Sequence, residues 1–170
     1  TGTTLLVVTH DQAEAVALAD RVALLLDGRL AQEATPQDIF RHPASVAVAR
    51  FFGGVNFLPG RAGADGFDCA LGLVRLPPGT AAGPGLLTIR PEAIRLGPAP
   101  GAHQGRVLST AFLGTQGRVE LAIGDLRLVA LTPPDTAGAL AAGSEVAVTL
   151  PVDALWVIAE PGGQAPDRPT

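Results

Sequence analysis

Beyond Val55 the chain is built from short apolar runs, each closed by glycine or proline, and this pattern limits the fold more than any other feature. The runs fall at 56–60, 70–76, 86–90, 93–96, 105–113, 118–123, 126–131, 145–150 and 154–158. None keeps the 3.6-residue period of an amphipathic helix long enough to cover a core. Strands recurring at roughly eight to twelve residues between turn residues predict an antiparallel barrel or sandwich. Residues 77–85 and 97–101, rich in Pro and Gly, read as loops, and Ile123-Gly124-Asp125-Leu126 reads as a tight hairpin turn. No internal repeat of fixed period stands out.

The first fifty residues have a different grammar. Residues 3–9 form a continuous apolar run, the pattern of a parallel strand buried on both faces. The run ends in Thr9-His10-Asp11, and residues 11–20 then place Ala13, Val16, Ala17 and Leu18 at helical spacing, with Asp11 at the positive end of the dipole. Residues 21–26 and 29–33 read as a hairpin around Asp27-Gly28. Thr35 is placed to cap a helix with Pro36 at its first position, and Pro43 stops that helix near Arg41-His42. Residues 44–52 restart as an apolar helix that ends at Gly53-Gly54. The expected organisation is an α/β piece over 1–53, a β domain over 54–160, and a flexible tail over 161–170. The run at 3–9 has no parallel neighbours in this sequence, so it is expected to pair with another copy, pack onto 22–26, or lose order.

Composition excludes several functions. A net charge of −4 and an aromatic content of 4% argue against a nucleic-acid surface, which needs a basic face and stacking platforms. The single cysteine, Cys69, rules out an internal disulfide framework and reads as a half-buried small hydrophobe. No apolar run reaches transmembrane length and no basic segment leads into the first one, so neither a span nor a signal peptide is expected and a cytoplasmic setting fits. All 12 basic residues are arginine and there is no methionine, so the chain is expected to be a piece of a longer product. At 170 residues it can hold one full core, or one small domain plus part of another.

His10 stands where a strand of an open α/β sheet would end, the place where ligands sit in such sheets. There it either hydrogen-bonds a phosphate and orients an attacking water, or it satisfies a local loop. His10, Asp11 and Glu14 share a spacing that a metal could use, but no second histidine or cysteine lies nearby, and a structural role is preferred; no metal site is expected. His42 and His103, beside proline or glycine, read as solvated loop residues. Arg90-Pro91-Glu92 lies between two strands, as a turn with a local ion pair or as an anchor at a domain or dimer interface. No GxxxxGK[ST] loop and no nucleophile–base combination in a supporting setting is present, so the chain by itself is expected to catalyse nothing.

Taken together, Val8-Thr9-His10-Asp11-Gln12-Ala13-Glu14-Ala15, Ala19-Asp20-Arg21-Val22, Asp27-Gly28-Arg29 and the stretches over 34–43 and 48–53 resemble the closing part of an ABC importer ATPase domain. The importers in question move sugars, polyamines, ferric iron or sulfate. Asn56-Phe57-Leu58-Pro59-Gly60, Arg90-Pro91-Glu92-Ala93-Ile94-Arg95-Leu96 and Phe112-Leu113-Gly114 resemble the regulatory domain that follows, the transport-associated OB (TOBE) fold.

The resemblance implies a mainly β chain: an OB-like antiparallel barrel preceded by a C-terminal α/β remnant of the ATPase domain. It implies that His10 is the switch histidine that contacts the γ-phosphate of ATP in the intact protein. ATP and magnesium are then cofactors of the intact subunit and not of this piece, which lacks the phosphate-binding loop and the catalytic glutamate motif. Arg90 and Glu92 become candidates for a regulatory or dimer interface. The implied partners are a second copy, the membrane permease subunits and a regulatory ligand, with no nucleic acid. The location is the inner face of the cell membrane, held through the permease. The alternative reading is a stand-alone OB-type module that senses an oxyanion or metabolite without catalysis.

Overall fold

The computed structural model describes residues 2–159, so the tail expected over 161–170 lies outside the described residues. The chain divides into two compact units, Thr1–Phe52 and Gly53–Thr170.

The first unit is organised around a hairpin of β1 (Val22–Leu26) and β2 (Arg29–Ala34). Asp27 and Gly28 both take positive φ, at 50° and 72°, which is the geometry a two-residue turn needs to match the strand twist. A bulge beside Leu24 shifts the register from Leu24↔Gln32 to Leu25↔Leu30. Three short helices accompany the hairpin: α1 (Gln12–Leu18), α2 (Pro36–Arg41) and α3 (Val46–Phe51). Thr35 caps α2, its Oγ1 accepting from the Asp38 N–H at 3.2 Å and donating to Asp38 Oδ2 at 2.8 Å. Ser45 caps α3 through the Val48 N–H. Between these helices the chain turns at Pro43, and one side chain braces the break. Gln32 Nε2 donates to the His42 carbonyl at 3.0 Å, while its Oε1 accepts from the Ala44 N–H at 2.7 Å. Leu24, Ile39, Val48 and Phe52 form the buried core of this unit.

Residues 3–9 form no strand, contrary to the pattern of the sequence. Leu5, Leu6, Val7 and Val8 are all exposed, Val8 by 92%. A parallel strand needs neighbours for its backbone groups and cover for both faces. Among the described residues the first unit's sheet contains only β1 and β2, and neither pairs with this segment.

Among the described residues the second unit carries ten strands: β3 (Asn56–Ala62), β4 (Phe67–Cys69), β5 (Gly72–Val74), β6 (Gly83–Ile89), β7 (Arg95–Leu96), β8 (His103–Phe112), β9 (Gly117–Ile123), β10 (Leu126–Thr132), β11 (Glu145–Thr149) and β12 (Leu155–Ala159). They form two five-stranded sheets, ordered β12-β6-β3-β4-β5 and β10-β9-β8-β11-β7. Every pairing is antiparallel. Strand β9 shows the period-two logic: Val119 and Leu121 point into the core while Arg118 and Glu120 point out. Both sheets contribute to one core, including Leu58, Phe67 and Leu87 from the first and Val107, Leu121 and Leu128 from the second. The second sheet curls, bringing its edge strand β10 against β7 and against a 3-10 turn at Pro91–Ala93. The unit is thus mainly β and a curled antiparallel half-barrel, in the class expected.

Two close approaches explain particular glycines. A Cβ on Gly60 would collide with the Asp68 carbonyl and the Phe67 ring, and one on Gly117 would collide with Ala137. Ala137 belongs to α4 (Pro134–Gly138), a short helix that the sequence reading did not foresee. The run at 70–76 also resolves differently: Ala70-Leu71 is the turn between β4 and β5. Residues 83–85, expected as loop, are the start of β6, paired with 60–62 of β3. His103 opens β8 opposite Val148 and is not a loop residue.

Candidate functional site

His10 sits one residue before the cap of α1. Asp11 Oδ1 accepts from the N–H groups of Ala13 and Glu14 at 2.8 and 3.1 Å, which satisfies two of the helix's free donors. Thr9 Oγ1 accepts from the Asp11 N–H at 3.0 Å and donates to Glu14 Oε2 at 2.6 Å. The backbone on either side of His10 is therefore fixed by its neighbours, and His10 itself is exposed. Among the described residues no group of three or more His, Cys, Asp or Glu side chains could hold a metal ion.

Arg90 and Glu92 flank Pro91 at the 3-10 turn between β6 and β7, and the structure brings them together: Arg90 Nε lies 3.3 Å from Glu92 Oε1. Pro91 is buried, and the Arg90 side chain is only 15% exposed against 40% for Glu92. Burial pushes the Arg90 guanidinium below its ordinary range, and the neighbouring carboxylate opposes the shift. A Cβ placed on Gly53 would lie 4.0 Å from Arg90 Nη2, so the arginine reaches back to the start of its own unit. The arrangement pins a tight turn with a mostly covered cation and leaves the carboxylate edge accessible. Phe112-Leu113-Gly114 lies at the tip of the β8–β9 hairpin, with Phe112 76% exposed and the turn closed by the Leu113 N–H to the Gln116 carbonyl.

The sequence reading missed the strongest polar feature of the β unit. Asn56 is 1% exposed and makes three hydrogen bonds. Its Nδ2 donates to the carbonyls of Ile89 at 3.2 Å and Val129 at 2.9 Å, and its Oδ1 accepts from the Val129 N–H at 2.8 Å. One side chain thus joins β3 and the end of β6 to β10 in the other sheet. A signal was present: Asn56 shares the inward phase of Leu58 and Ala62, and a polar residue on that phase needs partners.

On the outer face of the curled sheet, Glu120 accepts from Arg118. Hydrogen bonding to Arg118, the charge of Arg118, a bond from Ser109 and the charge of Arg127 together hold its carboxyl below the ordinary glutamate range. No helix among the described residues is long and apolar enough to cross a membrane.

Residues 87–158, the stretch of the curled β unit that includes Arg90-Pro91-Glu92, match the family model for the TOBE domain. The relatives of this chain are ATP-binding subunits of ABC importers. The Fe(3+) ions import ATP-binding protein FbpC of Streptomyces avermitilis is 43% identical over 120 residues, covering 71% of this chain and 35% of that protein. The spermidine/putrescine import ATP-binding protein PotA of Ruegeria pomeroyi is 37% identical over 169 residues, covering 93% of this chain and 46% of that protein. The sulfate/thiosulfate import ATP-binding protein CysA of Xylella fastidiosa is 48% identical over 98 residues, covering 56% of this chain and 28% of that protein. The chain therefore spans between about a quarter and a half of the length of these relatives. Among solved structures, the cytoplasmic molybdate-binding protein ModG, with molybdate bound, aligns with a TM-score of 0.53 at 14% identity. That match covers 64% of this chain and 98% of ModG, and it shows the OB-type fold alone.

Proposed function

We propose that this chain is the C-terminal part of the ATP-hydrolysing subunit of an ABC importer. Residues 1–53 close its nucleotide-binding domain, and residues 54–160 are its regulatory and dimerisation domain. The observation that carries this reading is the likeness to PotA, which runs through 93% of the chain and so takes in both units. In the intact subunit His10 contacts the γ-phosphate and helps hold the attacking water. The capped turn around it supports that role, because Thr9, Asp11 and Glu14 fix the backbone while the imidazole stays exposed.

ATP hydrolysis in the intact subunit would use magnesium, but the described residues offer no carboxylate cluster for it. The subunit works as a dimer with permease subunits at the inner face of the membrane, and Arg90 with Glu92 offers the accessible carboxylate edge of a dimer or regulatory contact. Calorimetric titration of ATP into this chain tests the division of labour: binding is expected to be negligible, and a micromolar Kd would contradict it. The gene sequence upstream gives a second check, since the reading requires a phosphate-binding loop there.

The second reading, an OB-type oxyanion sensor without catalysis, is favoured by the likeness of fold to ModG. Titration of molybdate and sulfate into this chain separates the two. Stoichiometric micromolar binding, with no phosphate-binding loop upstream, would favour the sensor.

A further inference from the structure

The curled sheet of the second unit ends on two strands that meet without sharing a ladder. One edge is β10 and the other is β7. They lie against each other, with the 3-10 turn Pro91–Ala93 resting beside β10. Away from this seam β10 is tied to β9 along its whole length, from Leu126↔Ile123 to Thr132↔Gly117. On the seam side, the N–H and carbonyl of Val129 both go to the Asn56 side chain. The third Asn56 bond, to the Ile89 carbonyl, fixes the residue just before Arg90 and the turn.

We propose that this seam is the line along which the β domain opens, and that Asn56 is its latch. A long ladder opens its hydrogen bonds together, whereas the bonds that hold Val129 on the seam side of β10 come from one buried amide, so the seam can open without global unfolding. Opening turns out Leu128 and Ala130, which are buried on β10, and releases the turn that carries Arg90 and Glu92. The inference does not rest on the transport reading, because it uses only hydrogen bonds and packing within the second unit.

Native-state hydrogen exchange on this chain tests it, with the Val129 amide as reporter. In the unaltered protein, Val129 is expected to exchange through an opening with a shallower denaturant dependence than amides of β6. A single denaturant dependence shared by Val129 and β6 in the unaltered protein would overturn the proposal.

Discussion

Gln32 and Asn56 perform the same chemistry in the two units under very different conditions. Each is a primary amide that donates to backbone carbonyls, Gln32 to one and Asn56 to two, and accepts from one backbone N–H, standing in for a strand where the chain offers none. Gln32 works in a partly exposed setting, bracing the break at Pro43 beside a core of four buried residues. Asn56 works at 1% exposure, inside a unit whose buried core has sixteen residues. Water can replace Gln32 at little cost, but nothing replaces Asn56, so burial and not bond count sets what each amide contributes.

The largest effects should come from the cores themselves. Phe67 is fully buried, and Phe67→Ala is expected to destabilise the β unit by about 3–5 kcal/mol, read in denaturant titration by the fluorescence of the single tryptophan, Trp156. Ile39→Ala removes an equally buried side chain from the smaller core and should cost about 2–4 kcal/mol, followed by resonances of the first unit. If Ile39→Ala moved the Trp156 transition as far as Phe67→Ala does, the separation into two cores would be wrong.

The two amides come next. Asn56→Ala strands the Val129 backbone groups and should cost about 3 kcal/mol by Trp156 fluorescence, whereas Gln32→Ala should cost about 0.5–1 kcal/mol by resonances of the first unit. Equal losses would sink the argument from burial. At the hairpin turn, Gly28→Ala forces a side chain into positive φ and should cost about 1 kcal/mol.

The smallest effect concerns pH. Because the folded-state pKa of Glu120 is lowered from 4.5, its contribution is present above that value and fades as pH falls through the folded-state pKa. Glu120→Gln should therefore leave stability nearly unchanged in acid and slightly lower it at neutral pH, as measured by melting temperature across the acid range. The reverse pattern would contradict the lowered pKa.

Local rules carried most of the fold. Thr35, Pro36 and Asp27-Gly28 marked a helix start and a turn that the backbone then adopts, and apolar runs closed by turn residues placed β9 and β10 correctly. The failures have a shared cause, in that they depend on partners far along the chain. The run at 3–9 has strand composition but no neighbour to pair with, and residues 83–85 look like a loop until β3 lies beside them. At the candidate sites, proximity in sequence made Arg90 and Glu92 legible as a pair. Asn56 was not legible as a tie between sheets, because its partner Val129 lies 73 residues away.

The proposal on which the functional reading turns is that His10 belongs to the ATP site of a longer subunit. The most direct test is ATP hydrolysis by that full-length subunit carrying His10→Ala, with nucleotide binding measured in parallel. The account predicts hydrolysis reduced by about a hundredfold or more with ATP affinity largely kept, as expected when a group that positions the attacking water is lost. Hydrolysis at the unaltered rate would contradict it.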